Sequence, residues 1–417
     1  MELLRSIGHP EEVYALLKYK IGGCHTTVAK CDYDKMSDNL KTCYEFLKLT
    51  SRSFAAVIQA LDGELRDAVC LFYLVLRALD TVEDDMSLPN EVKIPMLKDF
   101  YSYLENPQWK FMESTEKDKI VLEQFPVISA EFRKLSPIYK EAISDVTKRM
   151  GHGMTVYLDK APDTLQQWDE YCHYVAGLVG IGLSRLFAAS KLESEEVGKD
   201  DKLANSMGLF LQKTNIIRDY LEDVQQNRHF WPKQAWGKYG TGQGDLLKPG
   251  NQQYAMACLN ELVTNALHHV PDVLVYLGRL QNQSVFNFCA IPQVMAIATL
   301  ERCYNNPNIF TGVVKIRKGE AVKMMLQATS LDSVKAIMTH FTLKIKERVS
   351  PDDPTAPATS AVIDRCLRLS QTDTVYASQS ERFFPLYISC GILLSAIVWQ
   401  YYTGLYSIMG PYLEDEK

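Results

Sequence analysis

The chain has 417 residues, 47% of them hydrophobic, and a formal net charge of −6 from 45 basic and 51 acidic side chains. This supports a large apolar core, is somewhat long for one domain, and excludes the basic excess that a nucleic-acid binder carries. The ten cysteines are scattered singly with no Cys-x-x-Cys pair, as expected of core thiols in a reducing compartment.

Met1-Glu2-Leu3-Leu4-Arg5 carries early charges and no apolar segment, so no cleaved signal peptide is expected. Residues 1–34 read as a short helical cap, with Pro10-Glu11-Glu12 as a helix start: proline in the first turn and acids near the positive end of the dipole. Ser37-Asp38 opens the next helix, and Ser51-Arg52-Ser53 interrupts it. On the residues alone a plain inter-helix turn and a phosphate-binding corner both stand, because hydroxyls and a guanidinium donate to phosphate oxygens.

Leu65 to Leu79 is apolar on nearly all sides, which predicts a buried helix. It ends in Asp80-Thr81-Val82-Glu83-Asp84, followed by Asp85. Positions i, i+3 and i+4 share a helix face, so Asp80, Glu83 and Asp84 form one stripe. Like charges at that spacing repel unless a cation lies among them. Oxygen donors without a nearby Cys or His point to a hard ion, Mg²⁺, which usually shares carboxylates with substrate phosphates. Arg77 falls on the same face, where it can neutralise Asp80, hold a phosphate, or do both. Residues 91–150 read as amphipathic helices without chemistry, and Gly151-His152-Gly153 as a flexible break.

Leu165 to Ser190 reads as one helix carrying Tyr171 and Tyr174 and then Gly177, Gly180 and Gly182. Glycine costs about 1 kcal/mol inside a helix. Close helix packing and room for a long apolar substrate are both sufficient reasons for it. A second apolar helix follows, with Gln212, Asn215, Asp219 and Glu222 on one polar stripe, and it ends in Asp219-Tyr220-Leu221-Glu222-Asp223, the acidic pattern repeated. One acidic cluster is most simply a solvated helix end. Two copies on apolar helices favour a metal site.

Tyr239-Gly240-Thr241-Gly242-Gln243-Gly244 follows no strand and has the wrong spacing for a nucleotide fingerprint, so it reads as a loop. Ser284 to Leu300 is hydrophobic yet contains Asn287, Pro292 and Gln293; it reads as a core helix rather than a membrane span, with Phe286 and Phe288 facing the cavity. Val313 to Gly319 is a basic loop. The Pro-, Ser- and Thr-rich stretch 349–382 reads as a flexible linker, and 383–413 as a membrane anchor with Trp399, Tyr401, Tyr402 and Tyr406 near its far end. The arginines Arg365, Arg368 and Arg382 before it place the body on the cytosolic side.

Three signatures together resemble the squalene and phytoene synthase family of head-to-head prenyl transferases. They are Leu65-Arg66-x-Ala68-Val69-x-Leu71-Phe72-Tyr73 running into Arg77 and the first acidic motif; Tyr171-x-x-Tyr174-Val175-Ala176-Gly177-x-Val179-Gly180; and the second acidic motif with Arg228 and Trp231-Pro232 downstream. The resemblance spans residues 35 to about 345 and includes the tail pattern. It implies an all-α fold: a single large helical bundle of the isoprenoid-synthase type around a central cavity (35–348), plus a C-terminal transmembrane helix. It also implies a Mg²⁺-dependent enzyme that joins two farnesyl diphosphates into presqualene diphosphate. Reduction with NADPH to squalene, for sterol biosynthesis, follows.

Within that resemblance Tyr171, Tyr73 and Phe288 are the catalytic positions, Tyr171 for proton transfer. Ser51, Arg52, Ser53, Arg77, Arg218 and Arg228 are the substrate contacts. Asp80, Glu83, Asp84, Asp219, Glu222 and Asp223 are the metal ligands. The cofactor contacts are Arg52, Arg77, Asn215, Arg218, Lys315 and Arg317, without a Rossmann unit, since no βαβ pattern occurs in the chain. The expected setting is the endoplasmic reticulum membrane, with a monomeric catalytic domain facing the cytosol. A non-reductive relative and a membrane-tethered helical scaffold are the alternatives.

Overall fold

A computed structural model describes residues 9–22, 36–51, 54–374, 376 and 390–402. Among these, every regular element is helical. The helices that build the site and its supports include, in order, α1 (Pro10–Gly22), α2 (Asp38–Thr50), α3 (Leu65–Asp84), α4 (Asn90–Tyr103), α5 (Pro137–Tyr157), α6 (Leu165–Cys172), α7 (Leu178–Ala189), α8 (Asp201–Arg218), α9 (Tyr220–Gln225), α10 (Gln252–Leu267), α11 (Val270–Leu277), α12 (Gln283–Cys303), α13 (Lys318–Gln327), α14 (Leu331–Lys346) and α15 (Ala356–Leu369).

Local chemistry sets many of the starts. Ser37 accepts from Leu40 N before α2, Asp200 accepts from Leu203 N before α8, and Asn282 accepts from Ser284 N and Val285 N before α12. Before α6, Thr164 and Gln167 form a reciprocal capping box.

The core is one continuous cluster through which α3 runs, buried from Leu65 to Val82 on nearly every side. Helix α7 packs on α3, α5 and α8, and α8 packs on α12, so these helices enclose a central space. Two glycines let α7 and α8 approach. A Cβ on Gly180 would lie 2.2 Å from the Ala204 carbonyl oxygen, and one on Gly208 would lie 2.2 Å from the Ala176 carbonyl oxygen. Those neighbours are backbone and cannot swing aside, so close packing requires these glycines, which also line the apolar cavity.

Four expectations change. The helix expected over 165–190 carries a π turn at His173–Gly177, between α6 and α7. Such turns insert a residue and rotate the side chains that follow. The second acidic helix breaks at Asp219, where α8 ends and α9 begins, so its motif sits on a corner rather than on a straight rod. Phe286 and Phe288 are both buried, but only Phe288 lines the cavity, because residues two apart on a helix point to nearly opposite sides. The stretch read as a linker, 349–382, contains α15, whose Thr359, Val362, Ile363 and Cys366 are buried against α10 and α14. The prolines misled: Pro357 occupies the first turn of α15, where proline is tolerated.

Of the expected anchor 383–413, the described part is an exposed apolar helix over Cys390–Tyr402; positions 383–389 and 403–413 lie outside the described residues. Two described helical runs, Leu165–Ala189 and Gln283–Cys303, are long and apolar enough to cross a membrane by length and composition. Both pack in the bundle and contribute walls to its cavity.

Candidate active site

The site grows from the ends of two apolar helices. Asp80, Glu83 and Asp84 close α3, while Asp219, Glu222 and Asp223 lie on the α8–α9 corner, and all six line one chamber of about 360 Å³. Gln212 and Asn215, on the predicted polar stripe, line it too, with Arg77, Arg218, Arg228 and Tyr171. A second chamber, about 260 Å³ and almost wholly apolar, shares Arg77, Asp80 and Val175 with the first. Phe54, Phe72, Tyr73, Phe187, Met207 and Phe288 are among its walls. The fold therefore joins an acidic mouth to a greasy interior.

Crowding and burial mark the carboxylates. Burial, then neighbouring acids, pushes Glu83 up to about 8 and Asp80 up to about 7, the latter against the opposing pull of Arg77. Burial likewise raises Asp223 to about 7, against Arg228. Arg228 spans the mouth, donating to Asp84 at 3.1 Å and Asp223 at 3.0 Å, so it links the two motifs directly. Arg218 pairs with Asp219 through two nitrogens, at 2.8 and 2.5 Å. Arg77 lies 3.9 Å from Asp80, donates to the Tyr73 hydroxyl at 3.2 and 3.3 Å, and rests over the Tyr73 ring. Tyr73 in turn donates to the Thr50 carbonyl.

Beside Thr50, the buried Ser51 hydroxyl has no hydrogen-bond partner among the described residues, where a phosphate corner was expected. Arg52 and Ser53 lie outside the described residues. Tyr171 is buried and stacks on Phe230 at 5.3 Å, and burial followed by the Glu83 charge raises its phenol far above the ordinary value. Phe230 is also covered by the Arg228 guanidinium. Lys315 is exposed and Arg317 is half-buried on the loop preceding α13; neither lines the two chambers.

The donor set fits Mg²⁺: six carboxylates, no sulfur and no imidazole on the chamber walls. Among the described residues the motifs bring no three ligand atoms within 4.8 Å of one another. They suit ions that keep water and take further oxygens from a diphosphate, rather than a closed protein cage.

Sequence reasoning missed the support behind the first motif, in a region read as lacking chemistry. Asp85 is fully buried and accepts from Ser87, the Ser114 hydroxyl and Thr115 N. Burial opposes its charge, but those hydrogen bonds prevail and hold the carboxyl down at about 2. Lys93, buried on α4, donates to the Glu83 carbonyl at 2.7 Å and so caps the end of α3. Asp118 lies 3.9 Å from Arg77 Nε. Only the adjacency of Asp85 to its motif was a usable signal. Lys93 and Asp118 have no sequence pattern of their own.

Comparison with known proteins agrees with this geometry. A model of the family described as squalene/phytoene synthase matches residues 47–320. The squalene synthase of Homo sapiens is 55% identical over 414 residues, covering 99% of both chains, and that of Mus musculus is 55% identical over 416, covering 100% of both. That of Schizosaccharomyces pombe is 48% identical over 353 residues, covering 82% of this chain and 76% of its own. A solved structure described as TcSQS with the ligand E5700 superposes with a TM-score of 0.78 at 41% identity, covering 80% of this chain and 98% of that one. Helical bundle and acidic mouth define a prenyl transferase, and the chain belongs to the squalene/phytoene synthase family. Within that family its class is farnesyl-diphosphate farnesyltransferase.

Proposed function

We propose that the chain condenses two farnesyl diphosphates head to head into presqualene diphosphate and then reduces that intermediate to squalene, with Mg²⁺ and NADPH. The observation that carries the reading is the chamber in which both acidic motifs face each other at the mouth of an apolar pocket.

Asp80, Glu83, Asp84, Asp219, Glu222 and Asp223 would hold Mg²⁺, which supplies Lewis-acid stabilisation of the leaving diphosphate. Arg77, Arg218 and Arg228 stand around the same chamber and add positive charge as the carbon–oxygen bond breaks. Ser51, with Arg52 and Ser53, extends that set. The apolar walls exclude water, and the Phe288 and Tyr73 faces stabilise the allylic cation until the second prenyl double bond reaches it. Tyr171 lines the acidic chamber, stacked on Phe230. Its phenol is too basic to ionise freely, so it serves as a relay: its oxygen takes the proton lost on cyclopropane closure while its own proton passes to the diphosphate.

NADPH supplies the hydride of the second step; Asn215, Arg77, Arg218, Arg52, Lys315 and Arg317 are the residues proposed to hold it. The bundle of residues 35 to about 370 is the catalytic unit, and the apolar C-terminal segment anchors it, facing the cytosol, to the endoplasmic reticulum. The test is incubation with farnesyl diphosphate and Mg²⁺, with and without NADPH. Squalene formed only with NADPH supports the reading; a product indifferent to NADPH overturns the reductive step and favours the non-reductive relative.

A further inference from the structure

Outside the two chambers, the cap helix α1 makes a contact that the chemistry above does not use. Glu12 on α1 is 1% exposed. One of its oxygens accepts from Arg317 Nε at 2.8 Å and from Arg317 Nη2 at 2.6 Å. The fit is close: a Cβ on Gly319 would meet the Glu12 Cβ at 2.5 Å. Glu320 also approaches Arg317, at 3.7 Å, but it is held by two bonds from Arg302 at 3.1 Å. Glu12 is thus the near partner of Arg317. Its carboxylate sits at the start of the ten-residue α13, where the backbone dipole favours an anion.

The rest of α1 is held lightly. Ala15 and Leu16 pack on Val322 in a small cluster separate from the main core, with Tyr19, Met325 and Leu326 at its edge. Among the described residues α1 packs chiefly on α13. Releasing it therefore exposes little apolar surface.

We infer that Glu12 competes with the anionic groups of the nicotinamide cofactor for Arg317, so that α1 sets cofactor affinity from outside the catalytic chamber. This rests on the proposed role of Arg317. The physical reason is donor count: the Nε and Nη2 hydrogens that grip one carboxylate oxygen are those a phosphate would take. Lys315, exposed two residues away, attracts the same anion. A cofactor phosphate must displace Glu12, and its apparent affinity falls by the share of molecules in which Glu12 holds Arg317.

The test is NADPH binding to the full chain by titration calorimetry, without prenyl substrate, for wild type, Glu12→Gln, Arg317→Ala and the double variant. An ion pair whose arginine is partly exposed while its carboxylate is buried is taken as worth up to about fivefold. The expected results are about three- to fivefold tighter binding for Glu12→Gln, weaker binding for Arg317→Ala, and no gain from Glu12→Gln once Arg317 is gone. Leu16→Asp, which lifts α1 without touching Glu12, is expected to tighten binding similarly and guards against a local defect in the first variant. Weaker binding for Arg317→Ala with unchanged or weaker binding for Glu12→Gln and Leu16→Asp overturns the competition alone. Unchanged binding for Arg317→Ala overturns the cofactor role of Arg317, and the competition with it.

Discussion

Tyr171 and the two acidic motifs show what single residues contribute and how the solvent state of each controls it. A buried phenol that resists ionisation transfers a proton only in concert with another base. Tyr171→Phe is therefore expected to lower the rate of presqualene diphosphate formation by about 10²- to 10⁴-fold with folding intact, read by product analysis and circular dichroism. The carboxylates make a pH prediction. Asp80, Glu83 and Asp223 are raised to about 7, 8 and 7. A carboxyl whose folded value is raised supports the fold below its unfolded value near 4 and loses that support as pH climbs through the folded value. The metal-free protein should thus lose stability between about pH 4 and pH 8. Divalent ions, which need the ionised form, should restore it. Melting curves with EDTA or Mg²⁺ at pH 6 and pH 8 check this; the gap between them is expected to be wider at pH 8, and an equal gap counts against the site.

At the scale of elements, the site depends on how closely α7 meets α8. Gly208 faces the Ala176 carbonyl of the π turn that leads into α7, and any side chain there must move backbone. Gly208→Ala is expected to destabilise the fold by about 1 to 3 kcal/mol in urea titrations and to widen the apolar chamber between Val179 and Met207. Behind α3, Asp85 ties the helix end to Ser114 and Thr115. Hydrogen bonds to a charged group contribute about 1.5 to 3 kcal/mol each, so Asp85→Ala is expected to lower stability by a few kcal/mol and to weaken Mg²⁺-dependent activity through the displaced first motif. These supports come from helices and turns far apart in sequence, which explains why a search for local spacing passed over them.

For the whole molecule, α15 extends the packed bundle past residue 348. A chain ending at residue 348, where the sequence pattern placed the edge, loses the buried Val362 and Ile363. At roughly 1.5 to 3 kcal/mol for each buried side chain, that truncation is expected to lower the melting temperature sharply, whereas a chain ending at residue 370 keeps its fold and its activity. Calorimetry and turnover on the two truncations distinguish these outcomes.

The sequence by itself determined the helical class, the two acidic motifs, the oxygen-only donor set and the family. Each is written in local spacing: i, i+3, i+4 repeats, apolar helix faces and compact motifs. The family's second signature also contains Tyr171. The tertiary structure alone decided the rest. It decided that the motifs share one chamber, that Asp219 turns a corner, that Arg228 spans Asp84 and Asp223, and that Lys93, Asp118 and Glu12 matter at all. Most of those relations join residues far apart in sequence, up to the 305 positions between Glu12 and Arg317, and only packing of the helices against one another brings their side chains within bonding distance.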